Sequence, residues 1–458
     1  MAENEKQSTE PAGSETKPAG SSEAASELKK KGTAEEAPEK PTVPQYRSIV
    51  LGTFGSSKHL RIELTDQKKP ERNEIEVEVE SCGVNFLDIM VRQGLVDHPT
   101  KPPFIMGSEC AGKVVAIGED VKQYKVGDPV VVLLENGAWA ERLYLPVVEA
   151  TAGEEGTVTT SGHAQGEETV CILPWPKGLS AAKASVLAFA YLPAYFLLHH
   201  LANVQPGDVI LVHSAGGGVG TAIGQLVKQI PNVKLIGTAS KRKHEALAGL
   251  YDVLYTPDED KVLTIKKLHP EGISVILDCL SGEEISKSYS LLKPLGKYIL
   301  YGMSNLVTGD RRNFLSLAKY WFHVDRISPI RLHEDNHMLG GFSLKSLLFP
   351  RASGQARQSD LVHGVWAKLI KLVEEKKIDP LVDSEWSFEE VKEAMMRLHE
   401  RKNVGKVVLL PKAKPKVNVS CILTKLFSPN CAWQKIFFRN LVHQILFFVL
   451  RERRAKMK

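Results

Sequence analysis

Cysteine is scarce and scattered: six in 458 residues (Cys82, Cys110, Cys171, Cys279, Cys421 and Cys431), with no C-x-x-C pair and no framework spacing. That excludes a disulfide scaffold, argues against a structural zinc site and fits a reducing compartment. The opening residues MAENEKQSTE lack any apolar run, so no secretory signal is expected and the chain is expected in the cytosol. An excess of one charge is lacking too. The 59 Lys and Arg stand against 54 Asp and Glu, a net charge of +5, which gives no nucleic-acid footprint. Near the C-terminus the apolar stretch from Ile436 to Leu450 is broken by Arg439, Asn440, His443 and Gln444, too short and too interrupted to span a bilayer.

What is present is ordinary globular composition, long enough for two or three folding units. Residues 1–44 are rich in Glu, Lys, Ser, Ala, Pro and Gly and read as a disordered tail. From Tyr46 short strand patterns follow (RSIVLGTF, EIEVEVESCGVN, KVVAIG, DPVVVLL), a mostly β region over 45–178 interrupted by a small, polar, glycine-rich insertion at 151–169. From 179 to 325 helix and strand alternate, which predicts a parallel sheet covered on both faces. Residues 326–411 are less regular and end in the strand KVVLL, and 412–458 form a basic extension. On a helix, Phe438, Leu441, Val442, Ile445 and Val449 of that extension share a face; it reads either as an anchor on an anionic membrane or as a helix packed on protein.

The stretch HSAGGGVG, residues 213–220, follows the apolar run Val209–Val212 and precedes a helical pattern. A strand, Ala215-x-Gly217-x-x-Gly220 and a helix are the parts of a dinucleotide fingerprint: Gly217 admits the pyrophosphate to the backbone, Gly220 lets helix pack on strand, and helix N–H groups face the phosphate. A tight turn alone would also favour these glycines. The next strand should end within Leu235–Ser240, where an acid would bind a ribose 2′-hydroxyl; no carboxylate is there, and Lys241, Arg242 and Lys243 follow. Cations at that place favour NADPH over NADH, unless the cluster is only a solvated helix start.

Together with CGVNFLDIMVRQG, GSECAGKVVAIGEDV and VGDPVV in the β-rich half, this stretch resembles the medium-chain dehydrogenase/reductases, in the zinc-independent quinone oxidoreductase branch. GTASKRKHEAL, LLKPLGKYILYGMSNLVTGDRRNFLSLAK and RKNVGKVVLLP are similar to the synaptic vesicle membrane protein homologue group, also called vesicle amine transport proteins. The resemblance covers about residues 46–411 and implies an α/β fold: a GroES-like β-rich domain plus a doubly wound Rossmann domain, with 326–411 completing the first. It implies that NADPH lies in the cleft between them. Gly216, Gly217, Val219 and Gly220 would then line the pyrophosphate, Ser240, Lys243 and Tyr255 would surround the 2′-phosphate, Gly302 and Met303 would lie past the nicotinamide, and Lys406 would stand near the returning segment. Asn85, of the G-V-N motif, would contact nicotinamide ribose or substrate; alternatively it caps a turn.

Zinc members of that family use Cys and His where this chain has Gly83-Val-Asn85 and Gly107-Ser108-Glu109. Asn and Ser are poor zinc ligands, so no metal is expected. Glu109 then reads as a structural acceptor. The implied chemistry is hydride delivery from NADPH to a small quinone or enone. Many members of the branch carry Tyr where this chain has Met90, which cannot donate a hydrogen bond, so turnover is expected to be weak. The group's names imply an alternative, a peripheral vesicle- or mitochondrion-associated trafficking factor that keeps the reductase fold, and the family often forms homodimers through the edge of the Rossmann sheet.

Overall fold

The structure is a computed structural model, describing residues 43–147, 170–257, 259–307, 309–310, 327–349 and 359–416. The expectations for the N-terminal tail, the 151–169 insertion and the amphipathic extension fall outside these residues, apart from 43–44 and 412–416.

Strand β1 (Gln45–Leu51) pairs antiparallel with β2 (Leu60–Asp66) and with β4 (Phe104–Ile105). The main β-domain sheet is built on β3 (Glu74–Val84), where alternation buries Ile75, Val77 and Val79 completely. β5 (Glu109–Ile117), β6 (Pro129–Leu134) and β8 (Val170–Pro174) continue it on one side, and β7 (Arg142–Pro146) also pairs with β3. On the other side stand β16 (Lys406–Leu409) and then β15 (Val382–Trp386). The antiparallel register places Val407 opposite Val84 and Leu409 opposite Cys82, so the chain does return to the first domain near its end.

The second sheet is parallel throughout. Its order is β11 (Val253–Tyr255), β10 (Lys234–Thr238), β9 (Val209–Val212), β12 (Ile273–Asp278), β13 (Leu292–Leu300) and β14 (Met338–Gly341). The order reverses direction between β9 and β12, the position at which such sheets open a crevice at their C-terminal edge. Here the boundary at 325 needs correcting: Met338–Gly341 belongs to the Rossmann sheet, pairing with Lys297–Leu300, and not to the segment completing the β domain. MLGG shows no alternation to announce a strand.

Three helices position the site: α1 (Phe86–Gln93), α2 (Ala181–Tyr195) and α3 (Gly218–Leu226). With its continuation to Leu201, α2 is long and apolar enough to cross a membrane, but 83% of that window is buried inside the protein. It is a core helix. Val186, Leu187 and Ala188 are fully buried where the two domains adjoin, and no other helix among the described residues meets the same length and hydropathy test.

Candidate active site

At the end of β9 the chain passes through Ser214, held at a φ of 60°, into the glycine loop, and α3 starts with Gly217 as its N-cap. Each glycine has its own reason. A Cβ on Gly220 would stand 2.6 Å from the carbonyl oxygens of Ser214 and Ala215, so only glycine lets α3 press onto the loop. At Gly216 a Cβ would meet the Lys243 stem at 2.8 Å, and at Gly218 the Lys406 stem at 2.5 Å. Gly217 has its nearest neighbour at 3.3 Å and presents open backbone at the helix N-terminus, where N–H groups lack intrahelical partners. From the returning segment Gly405 N–H donates to Gly216 O at 3.0 Å, clipping the β domain to this loop.

Beyond β10, Ser240 Oγ is buried without a hydrogen-bond partner. Beside it in sequence, Lys243 is 7% exposed, and burial, reinforced by Arg242, brings its ammonium down to about 8. A buried hydroxyl lacking a partner and a desolvated lysine at the end of the second strand suit an anionic group.

Also beside the glycine loop, where the Lys406 stem meets Gly218, three polar side chains interlock. Lys406 Nζ lies 2.7 Å from Glu109 Oε1 and also donates to Asn85 Oδ1. Asn85 Nδ2 donates to Glu109 Oε1 at 3.0 Å, and the Phe189 N–H reaches Glu109 Oε2 at 3.0 Å. Glu109 is completely buried and Lys406 nearly so. A Cβ at Gly83 would be 2.1 Å from Glu109 Oε1, so the glycine of G-V-N makes room for this acid. Asn85 occupies the N-cap of α1, in a capping box with Asp88, and its side chain also serves the ion pair. Its N–H donates to Asp88 Oδ2 at 2.6 Å, and Ser108 Oγ donates to Oδ1 at 3.2 Å. Burial raises the Asp88 carboxyl to about 7 despite these donors. Both positions where zinc relatives place ligands, Asn85 and Ser108, are thus engaged within the protein. Cys82, beside the motif, is fully buried and its thiol is pushed well up by desolvation, an inert state.

Beside these groups lies a cleft of about 720 Å³. Among the site residues expected from sequence, Asn85, Gly217, Val219, Gly220, Lys243, Gly302, Met303 and Lys406 line it. Gly216 and Ser240 stand behind the lining. Tyr255 does not reach it: the ring is 8% exposed in the apolar cluster with Leu211 and Ile236, and the short β11 holds it there. One wall is formed by Phe86, Leu87 and Met90 of α1, with Phe189 and Pro193 of α2. Sequence reasoning missed the Lys406–Glu109 pair, Arg401 and Lys345, which also line or support the cleft. No local pattern marks them, because each meets the site only through the tertiary fold.

Residues 71–173 match the alcohol dehydrogenase GroES-like domain, and residues 251–409 match the family model described as zinc-binding dehydrogenase. The mouse protein named synaptic vesicle membrane protein VAT-1 homolog-like is 42% identical over 365 residues, covering 80% of this chain and 81% of that one. The chain belongs to the medium-chain dehydrogenase/reductase family. The family's two-domain fold recurs in the crystal structure of the human VAT-1 homolog-like protein, 38% identical, with a TM-score of 0.66 over 81% of this chain and 99% of that one. A mycobacterial protein solved in complex with NADPH superposes with a TM-score of 0.64 at 25% identity, over 80% of this chain and 100% of that one. The CurK enoyl reductase gives 0.62 at 26% identity, over 80% and 99%. Within this dehydrogenase/reductase family, the present chain departs from the zinc-binding description at Asn85 and Ser108.

Proposed function

We propose that the protein is an NADPH-dependent, zinc-independent oxidoreductase that reduces a small quinone or enone. The observation that carries this is the α3 glycine N-terminus and the desolvated Lys243 lining one cleft, with the buried, partnerless Ser240 hydroxyl three residues before Lys243 and no carboxylate in Leu235–Ser240. These groups fit a dinucleotide bearing a 2′-phosphate: Gly217, Val219 and Gly220 at the pyrophosphate, Ser240 and Lys243 at the phosphate on the ribose, Gly302 and Met303 past the nicotinamide. When bound, NADPH supplies the hydride. The chain's own residues supply orientation and dryness. Lys406, fixed by Glu109, presents Asn85 at the cleft wall, and the α1 and α2 walls exclude water from an aromatic or conjugated acceptor.

Met90 offers no donor on the α1 wall, which supports modest turnover. The name of the VAT-1 relatives favours a second reading, a peripheral vesicle-associated protein that keeps the cofactor fold. A second copy of the chain would continue the Rossmann sheet at β14, whose Met338 and Leu339 are exposed. The test is NADPH oxidation monitored with a panel of quinones and enones, beside co-sedimentation with anionic vesicles. Acceptor-dependent oxidation carries the first reading. Vesicle binding without oxidation carries the second.

A further inference from the structure

Lys345 lines the same cleft, and the chemistry above leaves it unused. It follows Phe342, whose N–H donates to Leu300 O at 2.9 Å, so it is carried at the C-terminal edge of the parallel sheet near Gly302 and Met303. From there its ammonium reaches Glu135, just beyond β6, at 3.0 Å, with the two side chains 16% and 15% exposed. An ammonium has three donors, and among the described residues Glu135 is the acid within ion-pair distance. The other cations of the cleft are placed differently: Lys406 is held by Glu109 and Asn85, Arg401 donates to Asn305, and Lys243 stands at the glycine-loop end. Lys345 shares the lining of the cleft with Phe86, Leu87 and Met90 of α1. Burial holds its ammonium below the usual lysine range.

We propose that Lys345 binds the oxygen of the acceptor and protonates it, the acceptor being a quinone or conjugated enone whose oxygen becomes an oxyanion on reduction. This rests on the oxidoreductase reading above. A bound reduced nicotinamide would supply the hydride and electron pair of the new C–H bond, and the conjugated π pair would move onto the acceptor oxygen. An N–H bond of Lys345 breaks as the O–H bond forms, and the amine recovers its proton from water. The acceptor gains two electrons, and the nicotinamide loses them. Lys345 thereby supplies the donor that Met90 cannot, with Glu135 as its positioning residue.

The test is equilibrium binding of 4-nitrophenolate, a stand-in for the oxyanion, against neutral 4-nitroanisole, with NADP⁺ present. Wild type, Lys345→Arg and Glu135→Gln should prefer the phenolate, and Lys345→Met should lose that preference by about ten- to a hundredfold, the usual weight of a hydrogen bond to a charged group. Its affinity for the anisole should be unchanged. A phenolate preference absent from wild type, or intact in Lys345→Met, overturns the proposal. Should Lys345→Met not fold, carbamylation of Lys345 by cyanate in the wild-type protein gives the same answer: the phenolate must slow it, and an unchanged rate overturns the proposal. NADPH oxidation by wild type with quinones is scored separately, so failure of the oxidoreductase reading is distinguishable from failure of this assignment.

Discussion

Lys406 and Glu109 are 297 positions apart in the chain and 2.7 Å apart in space, in a site that admits almost no water. Removing one partner of such a pair leaves an uncompensated charge, so Lys406→Met should cost about 3–5 kcal/mol. Adding Glu109→Gln should restore most of that, because a neutral amide can still accept the Phe189 N–H. Chemical denaturation of the single and double variants reads both numbers, and equal stability of wild type and Lys406→Met would contradict the arrangement. Lys243 gives a prediction in pH. Its ammonium, lowered to about 8 chiefly by burial, loses its proton as the pH rises through that value. Affinity for NADPH should therefore fall from pH 7 to pH 9 while that for NADH stays level, and Lys243→Arg should flatten the NADPH curve. At pH 7, Lys243→Gln should weaken NADPH by roughly ten- to a hundredfold with little effect on NADH. At this scale the sequence was informative about residues that line the cleft beside a motif, since Gly217 and Gly220 follow one strand-loop-helix pattern and Lys243 follows the next strand. It was misleading for Tyr255, where spacing along the chain could not show that β11 ends with the ring in the core.

Among the elements, the glycine loop and α3 are the most exacting. Gly220→Ala forces a Cβ to 2.6 Å from two carbonyl oxygens that cannot swing away, and should destabilise the fold by about 1–3 kcal/mol, the cost of overpacking. Gly217→Ala meets its nearest atom at 3.3 Å and should leave the denaturation midpoint nearly unchanged while weakening cofactor binding. The reverse ranking would place the tight helix–loop contact elsewhere. β3 was legible because Ile75, Val77 and Val79 alternate with glutamates. β14 was not, because an edge strand of four residues ending in two glycines carries no periodic signal, and its place is set by pairing to β13.

For the whole molecule, the two-domain plan followed from the change from period-two strands to β/α alternation. The boundary at 325 fell short of β14, which ends at Gly341, and the polar lock between domains was invisible because its three members come from the N-cap of α1, β5 and β16. The exposed β14 edge leads to a prediction about assembly: the protein should run as a dimer in light scattering, and Leu339→Lys should shift it toward monomer. A monomer in both would remove the edge-to-edge pairing. A fluorescence titration of wild type and Gly217→Asp with NADPH and with NADH tests whether the cleft between the domains is built for NADPH. Wild type should bind NADPH at least roughly tenfold tighter than NADH, and the new carboxylate at the α3 N-terminus should abolish binding of both. Failure of wild type to bind either nucleotide would contradict that reading of the cleft.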